Sequence, residues 1–293
     1  MAVTIIINPV SGGGNAGVGR QRAEMAAAVA AAHGEPAEVF VTERAGHARD
    51  LARRAVRRRS RIIVAWGGDG TINEVASALA FEDVPLGIVP AGSGNGLARE
   101  LKLDRRPARA LAAALAAGRR PMDVGEMGDR LFVNVAGVGL DACVADAFNA
   151  ASNRRRGFAR YAAITVRTLI RYRPGRYTIT TPEGETSIRA VFVTVANSPQ
   201  FGNGVCVAPG AVVDDGWLDL ATFEERSRTA TIAQIPRLFN RTLTRAPGFA
   251  LRRIRQATIE CEKPMVFHVD GEPVRGGTRL QVRVHPGALQ IAV

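Results

Sequence analysis

The segment RIIVAWGGDGTINEVASAL, residues 61–79, decides how the chain is built. Arg61–Trp66 is a short apolar run of the length of one buried strand. The chain then turns through Gly67, Gly68, Asp69, Gly70 and Thr71. Ile72, Val75, Ala76 and Leu79 follow at i, i+3, i+4 and i+7, which makes one apolar helix face. Thr71 and Glu74 fit a Thr-x-x-Glu capping box, so a helix is predicted over 71–80 with its start at Thr71. A strand that passes through glycine into a helix forms a corner whose bare backbone N–H groups attract phosphate. Asp69 would repel that phosphate unless a divalent cation bridged the carboxylate and phosphate oxygens. A tight turn with a cap needs only two glycines; three around one acid favour phosphate chemistry.

Two similar corners lie on either side in the chain. The strand Val3–Ile7 leads into Asn8-Pro-Val-Ser-Gly-Gly-Gly-Asn15, and the strand Leu86–Val89 leads into Pro90-Ala-Gly-Ser-Gly-Asn-Gly96 with a helix near Leu97. Helices are expected at Arg20–Ala32, His47–Arg58 and Ala108–Ala117, with a further strand at Glu38–Val41. Strand–helix alternation argues a parallel sheet, because parallel strands need crossovers, and ligands gather outside the carboxyl ends of such strands. A GxGxxG match at Gly12, Gly14 and Gly17, with Glu35 and Glu38 downstream, stands too far from its strand for a dinucleotide fingerprint. Neither lysine follows a glycine run, so there is no P-loop. Ser93 lacks the glycines of a nucleophile elbow. Three corners on one edge suggest a nucleoside triphosphate held without the Walker lysine.

The second half has a different rhythm. Residues 130–138, 176–181, 188–197, 217–223, 250–261, 265–269, 279–285 and 288–293 read as strands, interrupted by helical patterns at Phe158–Arg171 and Thr229–Leu243. Many strands with few helices indicate an antiparallel sandwich or barrel. The Gly118-Arg-Arg-Pro121 break sets the boundary, giving domains over 1–125 and 126–285.

At 293 residues, with 39 basic against 27 acidic side chains, the net charge is +12, and the basic residues are almost all arginine. The excess suits either a phosphate-bearing partner or simply a GC-rich genome. The basic residues are spread along the chain with no recognition helix, finger or RNA-binding sheet motif, so no nucleic-acid partner is expected. Met25–Ala32 and Ala110–Ala117 are the longest apolar runs, far short of the roughly 20 residues of a membrane span. The opening MAVTIIINPV reads as a strand and not as a secretion signal, and the scattered Cys143, Cys206 and Cys261 fit a reducing cytoplasm. Ser152–Tyr177 carries eight arginines, among them Arg154, Arg155 and Arg156, with Phe158, Tyr161, Tyr172 and Tyr177. Phe158, Tyr161, Ala162, Thr165, Val166 and Leu169 share one helical stripe, either packed on the sandwich or lying at a bilayer surface.

The ordered set INPVSGGG (7–14), GGDGTINEV (67–75), GIVPAGSGNGLA (87–98), DVGEM (123–127), FVNVAGVGLDA (132–142), VANSPQFGNGVCVAPGAVVDDGWLDL (195–220) and VDGEP (269–273) resembles the catalytic-domain family of diacylglycerol and sphingosine kinases, in its bacterial soluble branch. The resemblance implies an α/β nucleotide domain like those of NAD kinase and phosphofructokinase, followed by a β-sandwich domain. The last strand, about 286–293, is expected to return to the first domain. It implies a kinase that uses ATP and Mg²⁺ on a hydroxyl of a membrane lipid, cytoplasmic and in peripheral contact with the inner face of the membrane. A homodimer is one assembly open to it. Asn8, Thr42, Gly67, Gly68, Asp69, Gly70, Thr71, Ile72, Asn73 and Ser93 would contact ATP. Glu272 would be the base, with Asp69 its rival. Val212, Asp215 and Trp217 would hold a second Mg²⁺. Diacylglycerol is the first substrate; sphingoid base, ceramide and phosphatidylglycerol are alternatives, with NAD kinase behind them. Gly96 departs from the aspartate common in diacylglycerol-specific members, which leaves the Asp69 site one carboxylate poorer.

Overall fold

The structure, a computed structural model, describes residues 2–14, 16–150, 158–202 and 204–293. The chain divides into two units, Met1–Met122 with Gly287–Val293, and Asp123–Pro286. In the first unit β1 (Val3–Ile7), α1 (Ala16–Ala32), β2 (Ala37–Val41), α2 (His47–Arg57), β3 (Ile62–Gly67), α3 (Asp69–Leu79), β4 (Leu86–Pro90), α4 (Gly96–Glu100) and α5 (Pro107–Ala116) alternate. The strands pair in parallel in the order β4-β3-β1-β2, and the final residues of the chain add a parallel strand beside β4. Every residue of β1, β3 and β4 is buried, as a sheet covered on both faces requires. Val3, Ile5, Ile7, Ile62, Val64 and Trp66 meet Ala26 and Ala30 of α1 and Ala110, Leu111 and Leu115 of α5, where small alanines let the helices approach closely. Glu35 and Glu38 pair with Arg61 and Arg58, which is the use this fold makes of the two downstream acids.

The second unit begins within β5 (Arg119–Met127) and continues through β6 (Arg130–Phe132), β7 (Val135–Gly139), α6 (Leu140–Ala150), α7 (Phe158–Arg171), β8 (Gly175–Thr181), β9 (Gly184–Ala196), β10 (Gln200–Gly202) and β11 (Val205–Cys206). It ends with β12 (Leu218–Glu224), α8 (Arg228–Ile232), α9 (Ile235–Phe239), β13 (Phe249–Ile254), β14 (Gln256–Cys261), β15 (Val266–Val269), β16 (Glu272–Arg275) and β17 (Arg279–Ala292), along which the chain returns to the first unit. This unit is a β-sandwich with antiparallel pairing. The long β9 binds β8 along its first half and β7 and β12 along its second, as a strand shared between layers does. Phe132, Val138, Ile179, Val193, Leu220, Ile259, Phe267 and Val282 fill its core.

Several elements differ from their sequence reading. The helix expected over 229–243 is broken into α8 and α9, because Pro236 lacks the N–H that a continuous helix needs. Residues 250–261 form β13 and β14, which pair with different neighbours. Residues 130–138 are interrupted at Val133 and Asn134, whose N–H groups bond to a side chain from elsewhere in the fold. Strand β5 and helix α6 were not expected at all.

Candidate active site

Strands β1, β3 and β4 are neighbours in the sheet, so the loops after their carboxyl ends lie side by side. The Asn8 side-chain amide donates to the Thr71 hydroxyl at 2.9 Å, and the Gly68 N–H donates to the Ser11 hydroxyl at 3.2 Å. Arg22 of α1 reaches back to the carbonyls of Asn8 and Ser11, tying down the first corner. The Thr42 N–H donates to Ile7 O at 2.8 Å, which brings the end of β2 to the same edge. Asn8, Thr42, residues 67–73 and Ser93 are thus gathered on one sheet edge, with Ser93 exposed. Ile72 is the exception, since its side chain is core and its N–H is spent on Gly68 O.

Asp69 has a structural task that sequence alone did not reveal. Its carboxylate accepts the N–H of Asn95 at 2.9 Å and of Gly96 at 2.8 Å, joining the second corner to the third. Two of the glycines serve this closeness: a Cβ on Gly94 would lie 2.8 Å from the Asp69 carboxylate, and one on Gly92 2.7 Å from Gly68 Cα. The capping box does not form. Helix α3 opens at Asp69 with Gly68 as its cap, so Thr71 lies inside the first turn. Glu74 instead accepts the N–H groups of Gly46, Ala48 and Arg49, and so caps α2. A carboxylate at a helix N-terminus satisfies donors that no carbonyl can reach.

In the second unit, Glu272 follows the two-residue turn Asp270-Gly271, whose φ values of +49° and +85° suit a type I′ hairpin. Asp270 is buried, and its carboxylate accepts the N–H groups of Val133, Asn134 and Val135 at 2.9–3.0 Å. Glu272 is exposed and accepts the side-chain amide of Asn149 at 3.1 Å. Beneath the turn, His268 is 1% exposed, with Nδ1 3.4 Å from the Gly271 N–H and Nε2 3.4 Å from Asp141. Thr194 donates to the same Asp141 oxygen at 2.7 Å. Close by, the hydroxyls of Tyr172 and Tyr177 lie 3.4 Å apart. Burial raises both, Tyr177 to about 12, so each stays protonated at neutral pH.

The proposed ligands Val212, Asp215 and Trp217 sit on one turn. Asp123, buried beside it, accepts the Gly216 N–H and gives its own N–H to Val213 O. Asp215 accepts from Arg253 and from the Trp217 N–H, and Arg253 and Arg255 stack on the Trp217 ring. Among the described residues no three His, Cys, Asp or Glu side chains converge as metal ligands. On α7, Leu169 is buried while Val166 and Ile170 are exposed beside Arg167 and Arg171; Arg154, Arg155 and Arg156 lie outside the described residues. Among the described residues no helix is long and apolar enough to cross a membrane. Asp141, His268, Asp270, Asp123 and Asn149 were missed as site residues. All but Asn149 stand in or beside the motif blocks, but their partners are distant in sequence.

A parallel α/β unit with three glycine corners is followed in the same chain by an antiparallel sandwich. Residues 2–127 match the diacylglycerol kinase catalytic domain, and residues 134–293 match the YegS C-terminal NAD kinase beta sandwich-like domain. A diacylglycerol kinase of Mycobacterium tuberculosis is 30% identical, over 99% of this chain and 94% of its own. A protein of Chromohalobacter salexigens named "Probable lipid kinase YegS-like" is 31% identical over 87% of this chain and 83% of its own. The crystal structure of a diacylglycerol kinase from Bacillus anthracis shares the fold, with a TM-score of 0.74 at 21% identity, covering 99% of this chain and 96% of that one. The chain belongs to the diacylglycerol kinase and YegS-like family, and it is a lipid kinase.

Proposed function

We propose that the protein transfers the γ-phosphate of ATP to a hydroxyl of a membrane lipid, with diacylglycerol as the first substrate. The observation that carries this reading is the meeting of three glycine corners at the ends of β1, β3 and β4, bound to one another through Asn8, Ser11, Thr71 and Asp69. Backbone donors at such corners suit a polyphosphate, and phosphoryl transfer needs mainly positioning and charge neutralisation. ATP would contact Asn8, Thr42, Gly67, Gly68, Asp69, Gly70, Thr71, Asn73 and Ser93.

Mg²⁺ fits the chemistry of Asp69, because this ion is commonly held by one or two carboxylates plus substrate phosphates. Bound there, it would neutralise charge on the phosphate oxygens. Glu272 takes the proton of the lipid hydroxyl as the phosphoryl group leaves ATP, a role suited to an exposed carboxylate. A second cation would be held by the Asp215 side chain with the main-chain carbonyls of Val212 and Trp217, beside the bonds that Asp215 accepts from Arg253 and the Trp217 N–H. A sphingoid base or ceramide is the second reading, favoured by Gly96, which brings an N–H and no carboxylate to Asp69.

Exposed Val166 and Ile170 beside Arg167 and Arg171 support peripheral contact with the inner face of the membrane, from the cytoplasm. Labelled ATP offered with diacylglycerol, sphingosine, ceramide, phosphatidylglycerol or NAD tests the reading. Label is expected in diacylglycerol; label in NAD, or in none of the lipids, overturns it.

A further inference from the structure

Three strands of the second unit place one residue each in a single cross-strand row. The register sets Gly137 of β7 opposite Thr194 of β9 on one side and opposite His268 of β15 on the other. Residues in register share a sheet face, so the Thr194 and His268 side chains flank a position that carries none. Asp141, in the first turn of α6, fills that gap: a Cβ on Gly137 would lie 2.3 Å from its carboxylate oxygen. Thr194 donates to that oxygen at 2.7 Å, and His268 Nε2 stands 3.4 Å from it. His268 is 1% exposed, far from ordinary for a polar ring, and its other nitrogen faces the Gly271 N–H at 3.4 Å.

This chain of contacts ends at the turn that presents Glu272. Asp270 pins one side of the turn to residues 133–135, His268 meets the next N–H, and Asn149, two helical turns beyond Asp141 on α6, holds the Glu272 carboxylate. Helix α6 therefore grips the turn at two points, once through Asp141 and His268 and once through Asn149. An acid beside one ring nitrogen favours the tautomer that carries its proton there. Asp141 stands 3.4 Å from Nε2 without a hydrogen bond to it, which leaves Nδ1 to accept from Gly271.

We propose that Asp141 and His268 form a positioning relay for Glu272: the half-buried acid orients the imidazole, and the imidazole holds the Asp270-Gly271 turn so that Glu272 meets the lipid hydroxyl. His268 touches no reacting atom in this role. The proposal rests on the reading of Glu272 as the base.

The test uses the full chain, labelled ATP, and mixed micelles that carry dioctanoylglycerol and sphingosine together. His268→Gln keeps a group near Nε2 but loses the acceptor for Gly271, whereas His268→Asn keeps an acceptor near Nδ1. His268→Gln should lower kcat on the order of ten- to a hundredfold with KM for ATP unchanged, as expected for a misplaced reacting group. His268→Asn should recover most of the loss. In a Glu272→Gln background, His268→Gln should add no further loss. Should His268→Gln fail to fold, Thr194→Val removes one hydroxyl at nearly constant volume and should act in the same direction. Equal losses in His268→Gln and His268→Asn, or additive losses with Glu272→Gln, overturn the relay and leave the base reading standing. A Glu272→Gln enzyme with near-parental kcat, or a parent that labels neither lipid, overturns the base reading and the relay with it.

Discussion

At the second glycine corner of the first unit, Asp69 gives its two oxygens to the N–H groups of Asn95 and Gly96. At the hairpin of the second unit, Asp270 gives its carboxylate to Val133, Asn134 and Val135, while Glu272, two residues further on, stays at the surface. Both aspartates are anchors that satisfy backbone donors where the chain bends too sharply to do so itself. The difference lies in what stands next to the anchor. In the first unit the anchor is itself the acid nearest the glycine corners, so under the proposed function structure and chemistry fall on one side chain. In the second unit they are separated between Asp270 and Glu272, and removing the second should leave the hairpin intact.

Glu272→Gln gives the largest expected effect and tests that separation directly. It should cut lipid phosphorylation by about 10² to 10⁴, the usual contribution of a positioned base, with ATP binding and the thermal midpoint unchanged. Steady-state kinetics beside calorimetry would check it, and a fall in stability comparable to the loss at Asp69 would erase the contrast. Asp69→Asn should show both faces at once, weaker ATP binding and a less stable first unit. An amide oxygen can replace only one of the two acceptors, and its NH₂ then faces an N–H. A cost of about 2 kcal/mol is expected, which lowers the midpoint by roughly 4–8 °C. An unaltered midpoint would return Asp69 to a purely chemical role.

Glu74→Ala sharpens the comparison from the structural side, since Glu74 lies in the same helix as Asp69 and caps α2. Loss of this cap should cost about 1 kcal/mol while the KM for ATP holds, measurable by denaturant titration. The smallest effect is expected at Glu126. Burial pushes its carboxyl up, but hydrogen bonds from Arg283 and His285 outweigh this and hold it below its ordinary range. Such a group contributes stability that is complete above the unfolded pKa and is lost as pH falls through the folded one. Stability curves of the parent and Glu126→Gln should therefore differ above about pH 5 and converge in more acidic solution. Parallel curves across that range would remove Glu126 from the set of anchoring acids.

The strands and helices of the first unit were readable because apolar periodicity and glycine placement are local signals. The three corners and the Asp270-Gly271 turn were readable for the same reason, and the ordered motif blocks pointed to the kinase family. Helix α6 escaped notice because Leu140–Ala150 follows directly on β7 and its glycines. The Thr71–Glu74 box misled because its spacing is local, while the donors left open at Gly46, Ala48 and Arg49 drew Glu74 across to another helix.

By itself the amino-acid order determined most of the strands and helices of the first unit, the glycine corners and the Asp270-Gly271 turn, and which residue types stand at them. Only tertiary structure decided what each acid is bonded to: Asp69 to the third corner, Glu74 to α2, Asp270 to residues 133–135, and Asp141 to Thr194. A side chain carries its charge and donor count wherever it lies, but its partner is chosen by which backbone groups the fold leaves unsatisfied within about 3 Å, and those groups exist only once strands distant in sequence have met.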